Sequence, residues 1–261
     1  MTDVFEQNRV AWNRQSAAGE SRWCQPVDTA TIDAARQGDW AVILTPNRAV
    51  PRHWFGDVRG KDLLCLASAG GQQAPILAAA GARVVSLDAS EEQLAKDALV
   101  ARRDGLAVET RQGDMADLAD LADASFDLVF HPVSNVFARN VRPVWRECHR
   151  VLRAGGRLLS GFMNPDFYLF DHEAIDAGAP LEVSFQLPYA DVDDLPPKRL
   201  QRQLEAGLAL EFSHSLDDQI GGQIDAGFLI AGFYEDRWDD AASPLNRHMP
   251  TSMATLALRA R

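Results

Sequence analysis

Cysteine is scarce in this sequence, and long apolar runs and blocks of basic charge are missing from it. The 261 residues include three cysteines, which lie far apart at Cys24, Cys65 and Cys148. An odd, widely spaced set of cysteines favours free thiols in a reducing compartment and does not match the ligand spacing of a zinc site. We therefore expect a cytoplasmic protein with no disulfide framework and no metal.

No segment has the pattern of a membrane span or a secretory signal. The longest nearly uncharged stretch, 63–82, contains Ser68, Gly70 and Pro75 and is too polar to cross a bilayer. The first residues, 1–13, carry acids early and lack the apolar core of a signal peptide. The sequence predicts no association with a membrane.

Acidic side chains outnumber basic ones by 37 to 26, which gives a formal net charge of −11. The densest basic groups, within 139–153 and 198–202, fit a solvated helix face and a segment that offsets acidic neighbours. A surface that follows nucleic-acid phosphates needs clustered positive charge. We expect no nucleic-acid partner, and the sequence makes no prediction of oligomeric state.

From residue 61 onward, short apolar runs alternate with segments of helical periodicity, which is typical of βαβ units around a parallel sheet. Helices are predicted at 72–80, 90–104, 141–152 and 215–226, with strands between them. The predicted strands lie at 62–67, 83–88, 106–111, 126–130, 157–162, 228–234 and 252–260. The continuous apolar run at 62–67 predicts a strand buried on both faces, and Ser90 with Gln93 is a capping-box signature for the start of the second helix. The order of these helices and strands predicts a doubly wound, Rossmann-like α/β sheet of about seven strands.

Two segments lack this alternation of short apolar runs and helical periodicity. Residues 1–60 carry four tryptophans and are predicted to form a helical lid that packs over the sheet. Residues 164–213 are rich in proline, and we call them the insertion, which follows the fifth strand. Because about 50 residues is near the lower limit for an autonomous domain, we interpret the insertion as part of the core domain formed by 61–163 and 214–261. Strand-like runs at 181–187 and 208–212 and a short helix around 198–205 are predicted within it.

A small-residue loop between the first strand and the next helix is the first candidate binding feature. It reads Leu66-Ala-Ser-Ala-Gly-Gly71, and small side chains let a ligand approach the backbone closely. Asp88 ends the second strand, where a carboxylate can accept hydrogen bonds from both hydroxyls of a ribose. A tight turn and a helix cap are the simpler explanations of these two features. Together with the turn Gly113-Asp114-Met115 they favour a nucleoside site.

These motifs resemble class I S-adenosylmethionine-dependent methyltransferases of the ubiquinone-methyltransferase-like, type 11 group. The resemblance covers about 61–162 and 215–260. It is carried by Cys65–Gly71 as the glycine loop, Val85–Ser90 with the ribose acid, Gly113–Met115 as the adenine-edge turn, Ser125–Phe130 as the fourth strand and Val151–Leu158 after it. It implies an antiparallel hairpin at the end of the sheet and S-adenosyl-L-methionine as co-substrate.

The resemblance also implies a set of site residues. Asp114 would accept from the adenine amino group, and His131 and His214 are the candidate catalytic residues, although a lone histidine is commonly a packed or capping group. The expected cofactor-binding residues are Ala67, Ser68, Ala69, Gly70, Gly71, Gln72, Asp88, Ala89, Gln93, Gly113, Asp114, Met115, His131, Pro132 and Val133.

The glycine loop departs from the family pattern, which reads acid-x-Gly-x-Gly-x-Gly. Here Cys65, Ala67 and Ala69 stand at the acid and at the first two glycines. Because alanine replaces glycine without strain only at negative φ, we expect negative φ at both alanines. The missing acid removes a hydrogen-bond acceptor that orders the loop, and we expect Ser68, Gln72 or Gln73 to supply polar contacts. The alternative is a degenerate loop that no longer binds the cofactor.

The predicted reaction is methyl transfer to a small, partly apolar acceptor. A sulfonium methyl is a strong electrophile, so the site needs mainly alignment and exclusion of water. The acceptor atom, oxygen, nitrogen, carbon or sulfur, stays open, and His131 or His214 would serve as base where a proton is lost. The aromatic and aliphatic residues of the insertion are expected to line the acceptor site: Phe167, Tyr168, Phe170, Phe185, Leu187 and Tyr189.

Three other interpretations were weighed. A nicotinamide-dependent dehydrogenase of the same strand order lacks its Gly-x-Gly-x-x-Gly fingerprint here. A non-catalytic S-adenosylmethionine-binding protein would keep the same motifs. The acidic group around His172 resembles a metal cluster, but we interpret it as a solvated loop.

Overall fold

The computed structural model describes residues 3–19 and 21–260. Seven strands form one sheet: β1 (Asp62–Leu66), β2 (Arg83–Asp88), β3 (Val108–Gln112), β4 (Phe126–His131), β5 (Leu152–Met163), β6 (Phe228–Asp236) and β7 (Ser252–Arg259). Their order across the sheet is β3-β2-β1-β4-β5-β7-β6. The first five strands pair in parallel, and β7 runs antiparallel to both β5 and β6. The predicted seven-stranded sheet with an antiparallel final hairpin is confirmed.

Helices cover both faces of the sheet and its carboxyl edge. Their bounds are α1 (Val4–Ala18), α2 (Thr29–Arg36), α3 (Arg52–Phe55), α4 (Gln73–Ala79), α5 (Glu91–Asp104), α6 (Arg142–Val151), α7 (His172–Asp176), α8 (Asp191–Asp194), α9 (Pro197–Ala206) and α10 (Gly222–Asp225). Short 3₁₀ turns lie at Arg22–Cys24, Asn135–Phe137, Pro165–Leu169 and Pro244–Arg247. Within 3–19 and 21–260, no helix has the length and apolarity needed to span a bilayer.

Strand β1 lies at the centre of the sheet and is buried on both faces. Leu63 and Cys65 belong to one apolar cluster, whereas Leu64 and Leu66 belong to a second cluster on the opposite face. Successive side chains of a strand alternate between faces, so a continuous apolar run requires both faces to be covered. The segment predicted as a lid supplies part of this cover, because Trp54 is buried in the first cluster.

Helix α5 begins and ends at residues that cap it. The Ser90 side chain accepts a hydrogen bond from the Gln93 backbone N–H, and Gly105 ends the helix with φ of +63°. These caps fix the point where the chain leaves β2 and enters α5. Asp88 is therefore held at the carboxyl edge of the sheet.

Several predicted elements differ from the structure. The run 181–187 forms no strand and makes one isolated bridge, from Val183 to Phe170, while 208–212 makes one from Phe212 to Ala190. Both runs have the apolar residues of strands, but neither pairs in the sheet. Phe185 and Leu187 of the first run pack on the apolar cluster around Tyr168, and Leu210 and Phe212 of the second run are buried. The predicted helix at 215–226 is a π turn at Asp217–Gly221 followed by α10.

The start of the fifth strand also differs from the prediction. Strand β5 begins at Leu152, directly after α6, so the residues 153–156 between the predicted helix and the predicted strand lie inside it. Gly155 lies inside the strand with φ of +77°. The pairing register between β4 and β5 shifts between Phe126 and Leu128. A glycine in the left-handed region lets the chain bend without ending the strand.

Candidate functional site

A cleft of about 1450 Å³ runs along the carboxyl ends of β1, β2 and β4. The carboxyl edge of a parallel sheet is the usual position of a ligand site in this architecture. The predicted cofactor-binding residues that line it are Ala67, Ser68, Ala69, Asp88, Ala89, Gln93, Gly113, Asp114, Met115, Pro132 and Val133. The cleft thus brings together the loop after β1, the end of β2 and the turns after β3 and β4.

Three predicted residues of the loop lie outside the lining of the cleft. Gly70, Gly71 and Gln72 contact the N-terminal segment instead. The Gly70 N–H donates to the carbonyl of Trp23 at 3.2 Å, and Gln72 Nε2 donates to the carbonyl of Gln25 at 2.8 Å. The segment around 22–27 therefore covers this half of the glycine loop.

Both alanines of the loop adopt the left-handed backbone conformation. Ala67 has φ of +49° and Ala69 has φ of +68°, so the expectation of negative φ is wrong. For an L-residue this conformation costs about 1–2 kcal/mol relative to the right-handed region. The loop keeps the backbone course that glycine normally takes and carries local strain at the cleft.

Asp97 of α5 is a buried carboxylate beneath the loop, and sequence reasoning missed it. Its Oδ1 accepts from the Gly71 N–H at 2.7 Å, and its Oδ2 accepts from the Ser86 hydroxyl at 2.6 Å. Burial raises the pKa of Asp97 to about 7, although both hydrogen bonds favour the ionised form and Asp88 disfavours it. The detectable signal was an acid on the apolar face of α5, three residues after Leu94.

The polar contacts expected of the loop side chains differ from those observed. The Ser68 hydroxyl is buried and has no hydrogen-bond partner among residues 3–19 and 21–260. Gln73 Oε1 accepts from the Ile43 N–H at 3.2 Å. Gln72 contacts the N-terminal segment, as described above. The acceptor that orders the loop backbone comes instead from Asp97, at a distant position in the sequence.

Two carboxylates line the side of the cleft formed by β2 and β3. Asp88 Oδ1 accepts from the Ser90 N–H at 2.8 Å, and Asp114 Oδ1 accepts from the Ala116 N–H at 2.8 Å. Burial raises the pKa of Asp88 to about 6. Each hydrogen bond engages Oδ1 of a carboxyl group that lines the cleft, so the nearby backbone orients both carboxyl groups.

Both predicted catalytic histidines are packed inside the protein and do not line the cleft. His131 is fully buried, with Nδ1 3.0 Å from the carbonyl oxygen of Leu66, and burial lowers its pKa to about 4. His214 Nε2 lies 3.1 Å from the carbonyl oxygen of Asn135, and burial lowers its pKa as well. The structure corrects the expectation of a base at either position and of a cofactor contact by the His131 ring, because neither ring reaches the cleft.

The insertion supplies an aromatic wall at the opposite end of the cleft. The rings of Tyr168 and Tyr189 stack with centroids 5.7 Å apart, and Phe185 packs 4.9 Å from Tyr189. Of the residues predicted to line an acceptor site, Phe167, Tyr168, Phe170, Phe185 and Tyr189 line the cleft, and Leu187 packs behind them.

The acidic group around His172 is held by ion pairs and caps. Asp171 caps α7 through the Ala174 N–H and pairs with Arg199 at 2.7 Å, and Glu173 pairs with the same arginine at 2.8 Å. Within the described ranges, no group of three His, Cys, Asp or Glu residues is arranged to hold a metal ion.

Two tryptophans from distant segments meet over the cleft. The rings of Trp23 and Trp238 pack edge to face with centroids 5.9 Å apart, and both line the cleft. The Arg22 guanidinium lies 4.8 Å from the first ring and 5.0 Å from the second. The N-terminal segment and the loop between β6 and β7 are joined there.

Comparison with known proteins gives concordant results. A family model described as a methyltransferase domain matches residues 64–160. The uncharacterized methyltransferase YbaJ of Bacillus subtilis (strain 168) is 46% identical over 259 residues, which are 99% of this chain and 100% of that protein. A ubiquinone biosynthesis O-methyltransferase of Pseudomonas syringae pv. tomato is 32% identical over 44% of this chain and 50% of its own length.

A similar fold occurs among solved structures. The S-adenosylmethionine-dependent methyltransferase from Mesorhizobium loti superposes with a TM-score of 0.60 at 22% identity, covering 80% of this chain and 95% of that one. At this identity the similarity concerns the fold alone. The superposition covers most of the chain from Mesorhizobium loti.

Proposed function

The chain belongs to the S-adenosylmethionine-dependent methyltransferases, and from that premise we propose that it methylates a small, partly apolar acceptor molecule. Membership of this family sets aside the dehydrogenase and the non-catalytic binding protein as alternatives. The proposal concerns the acceptor and the residues that bind it.

The size of the cleft is the observation that carries this proposal. Its volume of about 1450 Å³ exceeds the roughly 300–1,000 Å³ that usually holds one drug-sized ligand. It extends from Asp88 and Asp114 at one end to Phe167 and Tyr189 at the other. A cleft of this length has room for the co-substrate and an acceptor side by side, as direct transfer between them requires.

The residues around the nucleoside end fit S-adenosyl-L-methionine. Asp88 would accept from the ribose hydroxyls and Asp114 from the adenine amino group, and the small side chains of Ala67 and Ala69 would leave the loop backbone accessible. The partly buried carboxyl of Asp88, already oriented by the Ser90 N–H, supports this assignment. Bound there, the co-substrate supplies an activated methyl group.

The chain's own contribution to the reaction is alignment and exclusion of water. Trp23 and Trp238 cover the nucleoside end, and the insertion covers the acceptor end. Holding two reactants in line replaces a bimolecular encounter, and closing the site removes competing water. The aromatic wall around Tyr189 favours an acceptor with an apolar body.

Isotope labelling tests the proposal directly. The protein is incubated with S-adenosyl-L-methionine carrying a deuterated methyl group and with a bacterial cell extract that is divided into a small-molecule fraction and a protein and nucleic-acid fraction. Labelled products in each fraction are found by mass spectrometry. We expect one or a few labelled products of small-molecule size with an apolar portion. Labelling of protein or nucleic acid in place of small molecules would contradict the proposed acceptor class.

A further inference from the structure

Four carboxylates of the insertion line the cleft: Glu173, Asp176, Asp191 and Glu211. Glu173 and Asp176 are exposed on α7, whereas Asp191 and Glu211 are shielded from solvent to a greater extent. Glu211 lines the cleft, and its Oε2 accepts a hydrogen bond from the Tyr168 hydroxyl at 2.7 Å. In the part of the chain that the structure describes, its Oε1 has no protein partner, yet it is not among the fully buried unpaired atoms. Glu211 thus presents one anchored oxygen and one oxygen that a ligand can reach.

We propose that Glu211 is the proton acceptor of the reaction and that the acceptor molecule is methylated at a hydroxyl or N–H group. The inference rests on the proposed function, because it assigns a residue and an acceptor class to the same cleft. It narrows the acceptor to a compound whose nucleophilic atom carries a hydrogen that must be lost.

The neighbouring acid Asp191 does not compete for this role. Its Oδ1 accepts from the Tyr189 hydroxyl at 2.6 Å, and its Oδ2 accepts from the Glu211 N–H at 2.8 Å. Both oxygens are therefore engaged, and Asp191 is 6% exposed. The contact of Asp191 with the Glu211 N–H holds the backbone of Glu211 in place.

The backbone on both sides of Glu211 is held by residues from other elements. Asn8 of α1 bonds both the N–H and the carbonyl of Leu210, at 2.7 and 3.0 Å. On the other side, the Phe212 N–H donates to the carbonyl of Val136 at 2.8 Å. Because these hydrogen bonds hold the backbone before and after Glu211, its carboxyl group is positioned before the ligand arrives, which general base catalysis requires.

Burial and the charge of a neighbouring acid make Glu211 a stronger base than an ordinary carboxylate. Burial and the charge of Asp191 raise the pKa of Glu211, while the Tyr168 hydroxyl opposes that rise. Arg199 of α9, which also lines the cleft, is paired with Asp171 and Glu173. A base whose pKa lies closer to the working pH transfers protons more effectively than an ordinary carboxylate.

The step balances as a simple displacement. The acceptor atom attacks the sulfonium methyl, so that a bond from that atom to carbon forms and the sulfur–carbon bond breaks, with its electron pair going to sulfur. The products are the methylated acceptor and S-adenosylhomocysteine. The proton of the attacking hydroxyl or N–H passes to Glu211 Oε1, and solvent removes it after product release.

The test compares Glu211→Gln with the matched control Glu205→Gln, which changes an exposed glutamate of α9 outside the cleft. With the unmethylated acceptors identified from the labelled products as substrates, we expect Glu211→Gln to lower kcat by about 10²–10⁴-fold. Binding of S-adenosylhomocysteine in calorimetry should stay within about threefold, because Glu211 lies at the opposite end of the cleft. Glu205→Gln should match the wild type in both measurements.

The pH profile separates a proton acceptor from a merely structural residue. The wild-type rate should rise with pH through the ionisation of Glu211, and Tyr168→Phe should move that rise to higher pH, because the hydroxyl favours the carboxylate. His172, which also lines the cleft, is the competing base. If His172→Asn removes the rise and Glu211→Gln does not, the assignment is overturned.

Two outcomes distinguish a failure of the proposed function from a failure of the inference about Glu211. If the wild type labels no small molecule, the proposed function fails and the inference fails with it. If labelled products form but carry the new methyl on an atom that had no hydrogen, or form equally fast with Glu211→Gln, the inference alone fails. The pKa of Glu211 can also be measured without an acceptor, by ¹³C NMR titration of the protein. The carboxyl signal that is absent from Glu211→Gln should titrate with a midpoint pH above the ordinary Glu pKa of 4.5. A midpoint at or below that value would also overturn it.

Discussion

Replacing Asp97 with asparagine removes the charge of a buried carboxyl group and preserves its shape. Oδ1 of the new side chain can still accept from the Gly71 N–H, and its amide N–H can donate to the Ser86 hydroxyl oxygen. Asparagine therefore resembles the protonated form of Asp97. The variant isolates the free energy of ionising this group inside the protein.

The magnitude follows from the pKa of Asp97, which is about 7 in the folded protein against an ordinary value of 3.8. An acid with a raised folded pKa binds more protons when folded, so the free energy of unfolding falls as pH rises between the two values. At 1.36 kcal/mol per pKa unit, the whole difference is about 4 kcal/mol, and about 3 kcal/mol of it lies between about pH 5 and about pH 8. Asp97→Asn should remove that portion of the pH dependence.

The assay is urea unfolding of the wild type and Asp97→Asn at both pH values, with Asp120→Asn as the control. Asp120 is exposed and lies outside the cleft, so its replacement should leave the pH dependence unchanged. The free energy of unfolding of Asp97→Asn, relative to wild type, should increase by about 3 kcal/mol from the lower to the higher pH. An equal pH dependence in wild type and Asp97→Asn would refute the assignment of a raised pKa to Asp97.

Three further variants test the loop, the ribose acid and the cover of the cleft. Ala69→Gly should raise the free energy of unfolding by about 1 kcal/mol in urea titrations, because φ of +68° strains alanine, whereas Ala80→Gly at φ of −70° should lower it. Asp88→Ala should weaken S-adenosylhomocysteine binding at least about tenfold in calorimetry while far-UV circular dichroism is unchanged, since charge-assisted hydrogen bonds contribute about 1.5–3 kcal/mol each. Trp23→Ala should accelerate dissociation of the same ligand in stopped-flow measurements, because the edge-to-face pair with Trp238 contributes about 0.5–1.5 kcal/mol. An unchanged free energy of unfolding, an unchanged affinity or an unchanged dissociation rate, respectively, would contradict the corresponding contact.

Local patterns were sufficient to predict most of the core. The continuous apolar run of β1 predicted a strand buried on both faces, and Ser90 with Gln93 predicted the start of α5. Burial of a strand and capping of a helix depend on residues close together in the chain, so they leave a pattern that sequence reasoning detects. The position of Asp88 at the end of β2 follows from the same rule.

The remaining features depend on contacts between residues that are distant in the chain. The alanines of the loop take positive φ in a segment whose end, the Gly71 N–H, is held by Asp97 of α5. His131 ends β4, at the edge where the resemblance implies a ligand contact, but packing against Trp145 and the carbonyl of Leu66 keeps its ring inside. The pairing of Glu211 with Tyr168 spans 43 residues of the insertion, in which no regular period marks it. Such contacts form because the folded core fixes where each segment lies, and no local pattern of residue types carries that information.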